Sequence, residues 1–433
     1  MVRAHLPVLV ALAWFGCKRE PEPGPRVSAT TPVPAAPRDA GVAEPGPRWY
    51  RASVRAPDGV EARFFLGVPA PGAPGQAILK VADYEVRSAA TFDGKTLKIS
   101  LPVYLTAIEA TAGPDGTLAG SFTTSSRAWG ASSIPLTATP VAAPVPSALA
   151  TVDSTAAVLD LGEPHSVWRV AMAESGTGKL VIDQTAPGEF SGLLLLDTGN
   201  IIYVAGNGRG DAIILSGFDG TAGYRVELTL AADRARAGGK FFGGQRFDWR
   251  ETLTATRGAD FTLALKPRPK RLGDRITLPD SPALAGLARG PLVVELAGSW
   301  CSTCRNAAPF LVDLYREFHP RGLNMVTLLY EFTDDRSIDA QQAETFKNTY
   351  GVTWPVVSIP GGIDDFAEAM PSGLADINPG GFPITLFLAS DRSLVGLHAG
   401  FPAADAASEF HRVTAEFRAT IETLLASPID SRR

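Results

Sequence analysis

The chain has 433 residues, of which 45% are hydrophobic and 20% charged, a composition typical of globular proteins and unlike that of disordered or polytopic membrane proteins. Its formal net charge is -5, so it lacks the basic surface that neutralises phosphates, and we expect no nucleic-acid partner. The length exceeds that of one compact core and predicts two or three folded units.

The N-terminus has the layout of a secretory signal. A basic start precedes an apolar run that ends at Gly16 and Cys17, and this run is too short to span a bilayer permanently. A small residue followed by Cys resembles the signal of bacterial lipoproteins, although Trp14 stands where such signals usually carry Leu. Residues 1–17 are predicted to be a signal peptide with lipidation at Cys17. An ordinary secretory peptide is the alternative, and both predict a location in the cell envelope, facing the periplasm.

The next two segments differ sharply in amino-acid composition and in the pattern of apolar residues. Residues 18–47 are rich in proline and almost free of large apolar side chains, so they are predicted to be an extended linker. From 48 to 266, short runs of alternating or β-branched apolar residues are separated by turn residues, which is the pattern of antiparallel strands. The predicted fold is all-β, an antiparallel sandwich or barrel, either as one domain or as lobes 48–142 and 151–266.

From about 272 to 428, apolar strands alternate with amphipathic helices. This order predicts parallel βα units stacked as a three-layer α/β domain. Strands are predicted at 292–296, 323–329 and 384–388, and helices at 301–318, 340–350 and 410–424. The predicted fold class is therefore multidomain, an N-terminal all-β region followed by an α/β domain.

The cysteines of this region carry the strongest chemical signal. The chain has three cysteines, and Cys301 and Cys304 are separated by two residues between a predicted strand and a predicted helix. The helix N-terminus favours a thiolate, the reactive form of cysteine, and the spacing places the second sulfur within reach of the first. We expect Cys301 to be the exposed attacking thiol and Cys304 the buried resolving thiol.

Metal binding is the alternative interpretation of two cysteines at this spacing. Zinc needs two more ligands, but Cys17 and the five histidines form no second pair. A copper carrier is a related alternative that the predicted βα context makes less favourable. We expect no metal and no cofactor beyond the redox-active disulfide between Cys301 and Cys304. The histidines are His5, His165, His319, His398 and His411.

Several motifs occur in an order that resembles a known family. Residues 293–304, VVELAGSWCSTC, resemble the strand and active-site turn of thioredoxin-like proteins, and Pro309 falls where that family kinks its active-site helix. Residues 381–388 resemble the loop that carries the family's cis-proline. The segments 350–355 and 398–401 narrow the resemblance to the TlpA-type thiol-disulfide oxidoreductases of bacteria, over about residues 272–428.

A weaker resemblance to the same family extends upstream of residue 272. Within the C-terminal region, some positions differ from the family's usual residues. Residues 197–200 and 215–220 resemble the domain that precedes the redox domain in some TlpA-type lipoproteins. Ala297 stands where the family commonly has an aromatic residue. Ser302 and Thr303 replace the more frequent Pro-Pro or Gly-Pro between the cysteines, which leaves the redox potential open.

The resemblance also implies roles for four further residues. Glu295 aligns with the buried acid of thioredoxin, which would accept the proton of the resolving thiol; an outward, solvated Glu295 is the alternative. Pro383 is implied to be cis, and Phe382 before it would offer main-chain hydrogen bonds to a substrate chain. Trp300 would form part of the same apolar rim or simply pack.

Together these features predict an exported, membrane-anchored thiol-disulfide oxidoreductase, more readily a reductant of protein disulfides than an oxidant. Its partners would be disulfide-containing exported proteins, a thiol electron donor and, through the lipid, the membrane. A peroxiredoxin-like thiol peroxidase is the second hypothesis, weakened because Gly298 holds the position of the activating Thr or Ser. A β-rich binding protein with an accessory thioredoxin-like domain is the third.

Replacement of Cys17 by Ala is expected to release the protein from the membrane fraction, because lipid chains supply the membrane affinity of such proteins. The measurement is membrane fractionation combined with metabolic labelling by a fatty acid. Cys301→Ala is the matched control and should stay labelled and membrane-bound. Unchanged fractionation of the Cys17 variant would remove the lipidation hypothesis.

Overall fold

The computed structural model describes residues 47–72, 75–101, 105–124, 132–149, 155–265, 272–287, 290–331, 333, 335–359, 381–404 and 406–426. The predicted signal peptide with Cys17 and all but the last residue of the predicted linker lie outside these ranges. None of the helices within them combines the length and the apolar character that a membrane crossing requires.

The first unit is a closed barrel of eight antiparallel strands in sequential order. It closes where β1 pairs with β8, with Tyr50 opposite Pro140. Side chains alternate between buried and accessible positions along β5 and β8, as the two-residue period of a strand requires. Its strands are β1 (Arg48–Arg55), β2 (Glu61–Val68), β3 (Gly75–Val81), β4 (Tyr84–Phe92), β5 (Thr96–Leu101), β6 (Thr106–Ala112), β7 (Leu118–Thr124) and β8 (Ser132–Pro140).

The second unit is another closed barrel of eight antiparallel strands. It closes where β9 pairs with β16, and large apolar side chains, among them Trp168, Phe190 and Phe241, form its own buried cluster. Its strands are β9 (His165–Met172), β10 (Gly176–Ala186), β11 (Glu189–Leu196), β12 (Ile201–Arg209), β13 (Ala212–Phe218), β14 (Gly223–Leu230), β15 (Arg236–Gly243) and β16 (Trp249–Gly258).

The third unit is built on a five-stranded mixed sheet in the order β19-β18-β17-β20-β21. The three central strands, β17, β18 and β20, are buried throughout, which matches their predominantly apolar sequences. The first three strands in this order run parallel, whereas β20 and β21 run antiparallel to their neighbours. Its strands are β17 (Leu292–Ala297), β18 (Asn324–Leu329), β19 (Val356–Ser358), β20 (Ile384–Leu388) and β21 (Leu394–Ala399).

The described α-helices all belong to this third unit. Helix α1 (Ser302–Phe318) follows β17 and contains Pro309, α2 (Arg336–Tyr350) follows β18, and α3 (Ala407–Ala426) ends the described chain. Short 3₁₀ turns lie at Pro146–Ala148, Pro282–Leu284 and His319–Arg321. The apolar face of α1, which includes Leu311, Leu314 and Phe318, is buried.

The fold class predicted from the sequence is wrong. Most of the described residues form two closed antiparallel barrels, and the third sheet is mixed with few described helices, in place of the predicted all-β region, as one domain or two lobes, followed by a parallel α/β domain. Alternating apolar residues locate strands but carry no information on barrel closure, which depends on pairs as distant as Tyr50 and Pro140. The apolar run of β20 suggested a parallel strand, but β20 pairs antiparallel with β17, and the tight turn at Arg392, with φ 71°, folds β21 back on β20 as a hairpin.

The three units share one buried apolar cluster. This cluster joins the cores of the first barrel and the third unit and takes in residues on the outside of the second barrel. Phe218 at the end of β13 stacks on Phe64 of the first barrel at 4.4 Å and meets Phe122 edge-on at 5.0 Å. The two barrels and the third unit therefore pack directly against one another.

The second barrel meets the third unit through backbone and charge. Gly199 lies against Gly400, so close that a Cβ on Gly400 would fall 2.1 Å from the Gly199 carbonyl oxygen. Nearby, the buried Lys179 ammonium binds Glu409 of α3 at 2.8 Å and Asp260 at 2.6 Å. Both contacts hold the C-terminal end of β21 and the start of α3 onto the barrel.

Candidate functional site

Cys301 and Cys304 form a disulfide at the N-terminus of α1, with their Cα atoms 5.3 Å apart. Cys301 caps the helix in an extended conformation, and its Sγ accepts a hydrogen bond from the backbone N–H of Cys304 at 3.0 Å. The helix begins here because the buried strand β17 ends at Ala297 and a short turn redirects the chain. The unpaired N–H groups of this first turn stabilise negative charge on the Cys301 sulfur once the disulfide is opened.

The loop before β20 faces this disulfide. The peptide bond between Phe382 and Pro383 is cis, and the carbonyl oxygen of Phe382 lies 3.3 Å from Cys301 Sγ. The Phe382 ring meets Trp300 edge-on at 5.6 Å and stacks on Tyr330 at 5.6 Å. Trp300 is fixed in turn, because its indole N–H donates to the carbonyl of Tyr330 at 2.8 Å. These aromatic side chains form an apolar surround for the outer sulfur.

The two sulfurs differ in exposure. Cys301 is 6% exposed, whereas Cys304 is fully buried beneath it. Cys301 is therefore the outer of the two sulfurs. The sequence predicts an exposed Cys301 and a buried Cys304, whereas in the structure both are buried and Cys301 is the less buried of the two.

Glu295 is buried on the middle of β17, beneath the turn that carries the cysteines. Its Oε2 accepts a hydrogen bond from the Thr327 hydroxyl at 2.9 Å, and Thr327 also accepts from the Trp354 indole at 2.9 Å. Oε1 has no hydrogen-bond partner in the part of the chain that the structure describes. Burial raises the pKa of Glu295 to about 7, which the single hydrogen bond only partly offsets.

A second buried acid, Glu331, lies just past the end of β18, and the sequence reasoning missed it. Its carboxylate accepts hydrogen bonds from the backbone N–H of Ser299 at 3.0 Å and from the Ser299 hydroxyl at 2.7 Å. Burial raises its pKa to about 7, with a small contribution from the Asp339 charge and against the lowering effect of the Ser299 hydrogen bonds. A polar residue directly after an apolar parallel strand marks the sheet edge where sites form, and that signal could have identified Glu331.

Gly298 has a steric role in the same turn. A Cβ at this position would fall 2.3 Å from the Trp300 indole nitrogen, so no larger residue fits while Trp300 keeps its place. A peroxidatic mechanism needs a Thr or Ser three residues before the reactive cysteine. The packing of Trp300 therefore excludes that residue from position 298.

The structure brings together five of the residues singled out from the sequence, and it places the others elsewhere. Cys301, Cys304, Trp300, Phe382 and Pro383 lie within one contact network at the N-terminus of α1. Glu295 lies on the strand that leads to this network and contacts Thr327. Cys17 is outside the described residues.

The histidines do not converge in the described chain. His398 is buried on β21, where burial and the Arg412 charge lower its pKa to about 3, and His165 pairs with Asp183 on the surface of the second barrel. No group of three His, Cys, Asp or Glu side chains that could hold a metal ion occurs among the residues whose structure is described.

No protein-family model and no curated protein matches the chain. Solved structures resemble part of it. A thiol:disulfide interchange protein of the thioredoxin family from Chlorobium tepidum is 17% identical, covers 37% of this chain and 99% of its own, with a TM-score of 0.26. A thiol-disulfide isomerase from Corynebacterium glutamicum is 15% identical over 37% of this chain and 97% of its own, with a TM-score of 0.26. A secreted disulfide oxidoreductase from Mycobacterium tuberculosis is 17% identical over 32% and 86%, with a TM-score of 0.23.

The raised pKa of Glu295 predicts a pH-dependent loss of stability. Between the ordinary carboxyl value of 4.5 and about 7, the unfolded chain releases a proton that the folded chain retains, so the free energy of unfolding falls as pH rises through this window. Glu295→Gln removes the loss. Relative to the parent, the variant should gain about 3 kcal/mol between about pH 4 and pH 8.

Urea unfolding at several pH values measures this difference. Glu344→Gln is the matched control, because it makes the same chemical change at an exposed position of α2. A Glu295→Gln curve that runs parallel to the parent across the whole window would show that Glu295 keeps an ordinary pKa in the folded protein.

Proposed function

We propose that the protein catalyses thiol-disulfide exchange through Cys301 and Cys304. The observation that carries this proposal is the disulfide itself, which sits at a helix N-terminus with Cys301 outermost and the Phe382 carbonyl oxygen 3.3 Å from its sulfur. A structural role explains this disulfide poorly. It closes a loop of only two residues, so it constrains the unfolded chain little and adds little to the free energy of unfolding.

The proposed reaction begins from the reduced dithiol. The Cys301 thiolate attacks a substrate disulfide, a bond forms between Cys301 Sγ and one substrate sulfur, and the other substrate sulfur leaves as a thiolate that takes up a proton. Cys304 then loses its proton and attacks Cys301 Sγ, which releases the second substrate thiol. The substrate gains two electrons, the protein returns to the disulfide form, and a thiol donor must reduce it again.

The deprotonation of Cys304 requires a proton acceptor, and the two buried acids are the candidates. Glu295 has a pKa of about 7, so it is close to the pKa at which a group both accepts and returns a proton efficiently near neutral pH. We assign it the proton of Cys304. Glu331, which is held by Ser299 two residues before Cys301, is the other acid that could serve.

The proposal extends to the type of enzyme and its place in the cell. The apolar signal before Cys17 and the linker after it support an exported, lipid-anchored protein of the TlpA type that faces the periplasm. Its substrates would be disulfide-containing exported proteins. The resemblance to TlpA-type proteins also favours a reductant of protein disulfides. The equilibrium potential of the Cys301–Cys304 couple against glutathione would decide between reduction and oxidation of substrates.

Substitution of either cysteine should separate the two chemical steps. Cys301→Ser should abolish insulin reduction, because the attacking thiol is lost. Cys304→Ser should still attack but should trap its substrate, because the mixed disulfide has no resolving thiol. Mass spectrometry of the protein after incubation with insulin measures the adduct. Ser302→Ala, between the two, is the matched control and should turn over normally.

The same preparations distinguish the alternative hypotheses. A parent that consumes hydrogen peroxide rapidly and leaves insulin intact would favour a thiol peroxidase. If the unsubstituted protein acts on neither substrate and the Cys304 variant forms no adduct, the protein is not an exchange enzyme. The hypothesis of a β-rich binding protein would then remain.

Glu295→Gln is expected to slow resolution and to leave the first attack nearly unchanged. The amide keeps the shape of the side chain but cannot take the proton of Cys304, and general-base assistance is typically worth about 10² to 10⁴ in rate. Stopped-flow decay of the mixed disulfide, followed from about pH 6 to 8, is the measurement. Glu331→Gln is the matched control, since that acid is equally buried. Slowing by Glu331→Gln alone would transfer the role to Glu331.

A further inference from the structure

The turn between β11 and β12 of the second barrel is unusually well anchored. Asp197 is fully buried, and its Oδ2 accepts hydrogen bonds from the Thr177 N–H at 2.7 Å and from the Thr177 hydroxyl at 2.8 Å. Across the turn, the Leu196 N–H donates to the Asn200 carbonyl and the Gly199 N–H to the Leu196 carbonyl, both at 2.9 Å. The turn is thus fixed to the barrel by its own hydrogen bonds and by β10.

One side of this turn contacts Gly400, which is hydrogen-bonded to Pro383. Gly199 adopts φ 87°, and a Cβ on it would fall 3.0 Å from the Gly400 nitrogen. The same Gly400 N–H donates to the Pro383 carbonyl at 2.8 Å. A displacement of Gly199 is therefore passed to the cis-proline through a single intervening residue.

The other side of the turn touches the residue before Phe382. A Cβ on Gly381 would fall 2.7 Å from Asn200 Oδ1, so the Asn200 side chain packs directly on the Gly381 backbone. The dipeptide Phe382–Pro383 is thus held from both ends by neighbouring residues of one turn. The Phe382 carbonyl oxygen between these two contacts is the atom that lies 3.3 Å from Cys301 Sγ.

We infer that residues 196–200 of the second barrel position the main chain of Phe382 and Pro383 for polypeptide substrates. The inference rests on the proposed function and gives the second barrel a role in it. Gly199 and Asn200 act as positioning residues, since they contact the loop and not the sulfurs. Main-chain pairing with an extended substrate segment depends on the placement of this loop, whereas attack on a small disulfide needs only the Cys301 thiolate.

The experiment compares two substrates. Pre-reduced protein reacts with insulin, a polypeptide disulfide, and with hydroxyethyl disulfide, a small one, and the second-order rate constant is measured for each. Gly199→Ala should lower the constant for insulin about tenfold, since the added methyl pushes Gly400 away, and should leave the small disulfide within about twofold. Gly162→Ala is the matched control, because Gly162 lies in the same barrel at φ 75° with nothing within 4 Å of an added Cβ.

Each result supports or overturns a distinct statement. An insulin constant equal to that of Gly162→Ala, or an equal fall for both substrates, would overturn the positioning role while the exchange activity stands. A parent that reduces neither substrate would instead remove the proposed function itself.

A second pair of variants covers the case in which Gly199→Ala does not fold. Asn200→Ala removes the side chain that packs on Gly381 and should lower the insulin constant about threefold, with the small disulfide unchanged. Gly381→Ala places a methyl group 2.7 Å from the position of Asn200 Oδ1, so it should lower the insulin constant by itself and should rescue the Asn200 variant by filling the space that the lost side chain leaves. Additive losses in the double variant would show that the two residues act independently and would overturn the inference.

Discussion

A series of contacts that begins at Arg305 of α1, four residues after Cys301, joins all three units of the chain. The Arg305 guanidinium donates to the Glu85 carbonyl at 3.2 Å and lies 4.9 Å from the centre of the Tyr84 ring in the first barrel. Tyr84 stacks on Tyr203 of the second barrel at 4.2 Å, and the Tyr203 hydroxyl accepts from the Ala403 N–H of the third unit at 2.7 Å. The chain of contacts returns to the unit in which it began. The orientation of α1, and with it the position of the helix N-terminus that carries the disulfide, depends on both barrels.

The polar interior below α1 is the second feature that the fold has to maintain. Burial of a carboxyl group costs free energy unless it is protonated or hydrogen-bonded, and two such groups, Glu295 and Glu331, lie on adjacent parallel strands or just beyond them. Each has few partners, and each pKa is raised to about 7. An uncharged core would be more stable. Acids that gain and lose a proton near neutrality are useful where a buried thiol has to be deprotonated.

The sequence predicted those parts of the site that short segments determine by themselves. The spacing of Cys301 and Cys304 and the motif around Pro383 are each local features of a few residues. Most strands were predicted from apolar residues that recur at every second position. Barrel closure, the mixed sheet and the contact between Ser299 and Glu331 were not predictable in this way. They depend on pairs remote in sequence, such as Ser299 with Glu331, whose proximity leaves no periodic trace in either segment.

The continuous apolar cluster has a consequence for biosynthesis. The first barrel is complete in sequence once β8 has been made, yet the cluster that contains its core also includes α1, β18 and β20 of the third unit. Those elements emerge only after the whole second barrel. N-terminal domains commonly fold as independent units during synthesis, but here the earliest barrel stays incompletely covered until the last segment arrives. Its final packing therefore follows the synthesis of the third unit, and a chain truncated before β17 would expose apolar surface to aggregation.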